Sequence, residues 1–122
     1  MTDPTLAGEL LGRLSDTIDA QDWAALADLL APDFEGHYVH TGEDFDRDGF
    51  VALNRDYPGS WRFIHEEIVD AGDRAVLRAR VTDGRETYYV ATFATAAGGR
   101  LSSLVEVWTD SVKPPEKEKR PR

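Results

Sequence analysis

Glu106 is the side chain in this sequence best suited to chemistry. It stands between Val105 and Val107 in a segment otherwise made of Leu, Ser, Val and Trp. A carboxyl buried among such neighbours must be paired, hydrogen-bonded or neutral. Its neighbours across the sheet follow from counting, if each tight turn downstream is a two-residue loop. Glu106 then lies opposite Ala91, Ala91 opposite Val76, and Val76 opposite Glu67, with Trp108, Tyr89, Arg78 and His65 forming the next row on that face. This register puts Arg78 diagonal to Glu106, and two readings are open. Glu106 is either half of a structural ion pair with Arg78 or a general acid or base with a pKa set by apolar surroundings. His65 and Arg78 fall side by side, and two cationic groups so placed call for an anion. Glu67, Glu106 or a ligand carboxylate or enolate could supply it, and a partly exposed strand histidine is the plainer alternative. A one-residue slip in any hairpin would exchange the faces.

No metal or cofactor is expected. The chain has no cysteine, and His37 and His40 are three apart in a strand and so point to opposite sides. Asp44-Phe-Asp46-Arg-Asp48-Gly49-Phe-Val51 copies the first eight positions of an EF-hand loop. Position twelve is Arg55 where a bidentate Glu is needed, so these aspartates are expected to cap a helix rather than hold calcium.

The elements that must position these residues are legible from periodicity. Asp3 and Pro4 open a first helix carrying Leu6, Leu10, Leu11, Leu14 and Ile18 on one stripe. Asp22 caps a second, with Trp23, Leu26, Ala27 and Leu30 in register until Pro32. A short strand spans 34–40. Asp46 or Asp48 then opens a third helix that ends at Pro58-Gly59. Four strands follow, at 61–70, 73–82, 85–96 and 100–110, separated by Ala71-Gly72, Asp83-Gly84 and Gly98-Gly99. The order predicts an α+β fold, three N-terminal helices covering one face of a curved antiparallel sheet.

The chain of 122 residues has the length of one domain. Residues 1–112 form the expected domain. Residues 113–122, with three prolines and seven charges, read as a solvated, disordered tail. The net charge is −9, and −12 without that basic tail. A body so acidic would be repelled by phosphate backbones and anionic lipid, so neither nucleic acid nor a membrane is expected as partner. The start of the chain has no basic, apolar leader pattern, which makes the cytoplasm the expected location.

The segment Asp19-Ala-Gln-Asp-Trp-Ala-Ala-Leu-Ala-Asp-Leu-Leu-Ala-Pro-Asp33 resembles the second-helix signature of the nuclear transport factor 2 superfamily. Gly49, the hairpin Ala71-Gly-Asp-Arg-Ala-Val76 and the terminal Glu106-Val-Trp-Thr-Asp110 are similar to SnoaL-like members, the group that includes polyketide cyclases and ketosteroid isomerases. The resemblance covers residues 6–112. It implies a cone: helices close over the concave face of a bent sheet around an apolar pocket, and the other face pairs in a homodimer. The pocket set would be Glu67, His65, Val76, Arg78, Tyr89, Ala91, Glu106 and Trp108. The dimer face would be Val105, Val107, Val90, Thr92, Leu77, Ala79, Val81, Ile64 and Ile68.

On that reading Glu106 or His65 is the proton-transfer group, while Tyr38, Arg78, Tyr89 and Trp108 contact the ligand. The ligand is a small apolar molecule with a polar or anionic handle. The reaction is cofactor-free acid/base work of the cyclase, isomerase, hydrolase or dehydratase type, and a non-catalytic binding or accessory role is the alternative. Ketosteroid isomerase chemistry itself does not carry over. Its base, tyrosine and oxyanion aspartate align with Tyr38, Leu14 and Ala91.

Overall fold

The computed structural model describes residues 6–111. The Asp3-Pro4 helix start and the 113–122 tail lie outside them. The order is α1 (Ala7–Ala20), α2 (Trp23–Leu29), β1 (Leu30–Tyr38), β2 (Glu43–Phe45), α3 (Arg47–Arg55), β3 (Arg62–Ala71), β4 (Arg74–Thr82), β5 (Thr87–Ala97) and β6 (Arg100–Asp110). The six strands form one curved, unclosed sheet in the order β2-β1-β6-β5-β4-β3. Every neighbour pair is antiparallel except β1 with β6, which is parallel and joins the helical half of the chain to the last strand.

Leu10, Leu11 and Leu14 of α1 are buried against the inner face of the sheet, where Leu77, Ala79, Val90, Leu101 and Leu104 meet them. Asp22 caps α2 by accepting from the Ala25 amide, and Asp46 caps α3 by accepting from the Gly49 amide at 2.7 Å. Asp44 of the EF-hand-like stretch bonds His37 instead, at 2.7 Å. The α2 segment ends earlier than expected. Leu30 is already extended, and Pro32 sits in β1, whose outer edge there needs no amide donor. Among the described residues no helix is long and apolar enough to cross a membrane.

Two β-bulges decide which residues face inward. At the Gly98-Gly99 turn the counted register holds for Ala97 with Arg100 and Ala96 with Leu101. Ser102 is then an extra residue, its hydroxyl donating to the Thr95 carbonyl at 3.1 Å, and Thr95 pairs with Ser103. From there on β6 is shifted by one, so Glu106 lies opposite Thr92 rather than Ala91. The second bulge, at Glu66, falls between the pairs His65 with Ala79 and Glu67 with Arg78. The other two turns each displace the count by two, which changes partners but not faces. Val76 accordingly meets Val69, and Arg78 meets Ala91.

The expected pocket set therefore splits. Glu106, Trp108 and His65 are on the inner face. Glu67, Val76, Arg78, Tyr89 and Ala91 are on the outer face, away from the helices. The expected dimer face splits as well. Val105, Val107 and Ile64 point outward, whereas Val90, Thr92, Leu77, Ala79, Val81 and Ile68 belong to the inner face.

Candidate functional site

The open end of the cone is a cavity of about 400 Å³. Its wall comes from the places where elements begin and end: Ile18 and Gln21 of the α1 terminus, Trp23 of α2, Leu53, Asn54 and Arg55 at the end of α3 with Tyr57 just beyond, and the last residues of β1, β4 and β6. Gln21 takes a left-handed conformation (φ 58°), stopping α1 and turning the chain into α2 at the rim. Asp19, two residues back, anchors this corner. It accepts two bonds from the Arg62 guanidinium and one from the Phe63 amide, at 2.8, 3.0 and 2.9 Å. The Arg62 bonds hold its carboxyl below the usual range, against a smaller opposing effect of burial.

Tyr38 and Trp108 line the cavity, and Glu106 stands enclosed behind them, 3% exposed. Thr92 Oγ1 donates to Glu106 Oε2 at 2.6 Å and Trp108 Nε1 donates to Oε1 at 3.2 Å. The parallel register makes Tyr38 the direct neighbour of Glu106 on β1. Burial raises the Glu106 pKa, and its polar neighbours Thr92, Trp108 and Tyr38 oppose that rise. Burial, followed by the nearby Glu106 charge, drives the Tyr38 hydroxyl far above its ordinary value. Tyr38 is therefore held as a neutral phenol.

Arg78 is not the partner of Glu106. It lies on the outer face, where it donates to Glu66 at 3.0 Å and Glu67 at 3.4 Å. Among the described residues no cationic side chain forms an ion pair with Glu106. His65 shares the inner face but lies near Ser15 of α1, 3.5 Å from its hydroxyl, and is not part of the cavity wall. Tyr89 is turned outward by the strand alternation, and its neighbour Tyr88 takes the place in the wall expected for it.

Counting along the strands passed over Thr92, which the bulge brings to Glu106, and the aromatic rim. In that rim Trp61 packs between Tyr57 and Tyr88, with ring centres 5.8 and 5.6 Å away, and His40 stacks on Tyr38. A usable signal was the even spacing Tyr88, Val90, Thr92, which puts Tyr88 on the face of two buried residues.

A cone of three helices over a curved six-stranded sheet, open at one end onto an aromatic cavity, defines a nuclear transport factor 2-like protein. The SnoaL-like domain pattern matches residues 11–110, and the chain belongs to that family. A Kribbella flavida protein provisionally assigned as a ketosteroid isomerase is similar at 25% identity and a TM-score of 0.82, over 93% of this chain and 86% of its own. IdmH of Streptomyces antibioticus, provisionally a polyketide cyclase, superposes with a TM-score of 0.72 at 18% identity, over 82% and 89%. A Catenulispora acidiphila protein with a ketosteroid isomerase-like fold, in complex with trimethylamine, gives 0.68 at 15% identity, over 80% and 83%. Comparison with curated protein sequences finds none that matches.

Proposed function

We propose that the chain binds a small, mostly apolar molecule in the cone and moves a proton on it through Tyr38, with Glu106 as the buried acid/base partner. One observation carries this reading: an enclosed carboxyl with no counter-ion among the described residues is bonded to Trp108 and stands beside Tyr38, two aromatic side chains of the cavity wall. A purely structural carboxylate at such depth would be expected to have a cation beside it. In this relay Glu106 is ionised and the hydroxyl of its strand neighbour Tyr38 turns to donate to it. A proton taken from the ligand onto the Tyr38 oxygen is then matched by passage of the tyrosine's own proton to Glu106, so no phenolate builds up. Running the relay backwards returns the proton elsewhere on the same molecule. That is the balance an isomerisation, cyclisation or dehydration needs, and no cofactor enters it. Trimethylamine in the Catenulispora relative supports a small organic ligand for this kind of cone.

The biological unit on this reading is a homodimer, with a second copy on the outer face of the sheet. Phe93, Val105, Val107 and Tyr89 are each 37–42% exposed there. Phe93 sits between Val76 and Val105 in a continuous apolar row, a surface soluble monomers seldom leave open.

The relay can be tested with 5-nitrobenzisoxazole, which opens to a coloured phenolate on losing one C–H proton. The wild type should open it with saturation kinetics and a rate that rises as Glu106 ionises. Tyr38→Phe and Glu106→Gln should still bind it and lose at least tenfold in rate. Equal rates in all three proteins would leave a ligand-binding protein without chemistry.

A further inference from the structure

We infer that the cavity selects an organic ammonium ion over a neutral molecule of the same shape, with Glu106 supplying negative charge from behind an aromatic wall. This rests on the small-molecule reading above and narrows its ligand class. All three tryptophans of the chain, Trp23, Trp61 and Trp108, line the cavity together with Tyr38, Tyr57 and Tyr88. The faces of such rings carry negative potential and attract a cation within about 6 Å of the ring centre.

Two of the six rings stand beside a carboxyl. Trp108 donates its indole N–H to Glu106, and Tyr38 is paired with Glu106 across β1 and β6. The donor hydrogen leaves from the ring edge, so this bond does not occupy the ring face. Donating to a carboxylate also polarises the ring and makes its faces more negative. The charge of an inaccessible residue is thereby felt at the wall. Asp110 puts a carboxyl in the lining itself. Among the described residues Arg55 is the one arginine or lysine in the lining, and it is held by Asp56 through bonds of 2.9 and 3.1 Å. A chain of net charge −9 draws cations from solution in the same direction. The anionic handle expected from His65 with Arg78 has no basis in this wall, since Arg78 is on the outer face and His65 is beside α1.

The test compares choline with 3,3-dimethylbutan-1-ol, its neutral carbon isostere, by titration against tryptophan fluorescence and by calorimetry. Choline should bind at least tenfold more tightly to the wild type. In Glu106→Gln, which keeps the shape of the wall, the preference should fall to about threefold or less while the alcohol binds as before. Trp61→Leu, at the mouth and remote from the carboxyl, should weaken choline more than the alcohol. Equal binding of the two probes, tighter binding of the alcohol, or binding of neither overturns the cation preference. A wild type that does not open nitrobenzisoxazole but keeps the choline preference would overturn the relay alone.

Discussion

Tyr38 and Glu106 are direct partners in the parallel pairing of β1 with β6, so a hydroxyl in the cavity wall and an enclosed carboxyl lie side by side on one face. The backbone fixes this juxtaposition, the Val39 amide donating to the Glu106 carbonyl at 3.0 Å. The consequence is a carboxyl held where its ionisation costs the fold free energy.

That cost has a definite pH signature. Burial raises the Glu106 pKa above its ordinary value of about 4.5. A raised carboxyl pKa stabilises the fold fully below the unfolded value, and this contribution is lost as pH climbs through the folded value, at about 1.4 kcal/mol per unit of displacement. Glu106→Gln removes the titration and leaves no stranded guanidinium, because Arg78 is engaged by Glu66 and Glu67. The variant should fold, and its melting temperature should exceed that of the wild type by a margin that widens from pH 4.5 upward. Parallel melting curves across pH 4–9 would mean that Glu106 is not enclosed.

The same residue measures how far the sequence could be read. The helix order, the sites of the three hairpins and the inward placement of Glu106 and Trp108 follow from periodicity, turn residues and family resemblance. What misled the count was a pair of single extra residues, Ser102 and Glu66, in strands that look regular. A bulge leaves no strong mark on composition, yet it turns every later residue over. Val105 and Val107 made the error attractive, since apolar residues on both sides of Glu106 suit either face. The sheet satisfies both by burying Leu104, Glu106 and Trp108 inward and leaving the valines outside.

Those valines give a prediction about assembly. Light scattering coupled to gel filtration should report about twice 13.6 kDa at micromolar concentration. Val107→Glu puts a charge at a position 42% exposed in one chain, next in line to Ala91 and Arg78. It should yield a folded monomer that still binds choline. A wild-type protein that is monomeric at these concentrations would remove the second copy from the outer face.

Asp19 offers a stability test with the opposite sign. Its carboxyl is held below the usual range, first by the Arg62 side chain. The stability it contributes is present above the unfolded value of about 3.8 and lost as pH falls through the folded value. Asp19→Ala also leaves the Phe63 amide without its acceptor, a loss of about 1 kcal/mol, since the ion pair is open to solvent. The penalty, read from urea midpoints, should be larger at pH 7 than at pH 3. An equal penalty at both values would deny that the carboxylate holds this corner.

The mouth of the cavity depends on one glycine. Gly59 has φ +105°, and a Cβ there would lie 2.7 Å from Trp61 Nε1. That indole nitrogen donates to the Pro58 carbonyl at 2.8 Å, so the ring folds back over the turn and meets Tyr57 and Tyr88. Gly59→Ala adds about 1–3 kcal/mol of local backbone strain. It also drives the indole off its acceptor. Gly59 and Trp61 both line the cavity, so most of the damage should fall on the mouth. The variant should bind choline three- to tenfold more weakly and show red-shifted tryptophan emission as Trp61 swings into water, while its circular dichroism stays that of the wild type. Trp61→Leu should show the same weakening, and adding Gly59→Ala to it should cost little more affinity, because the ring that the methyl group displaces is already gone. Additive losses in the double variant would show that Gly59 acts on the cavity by some route other than Trp61.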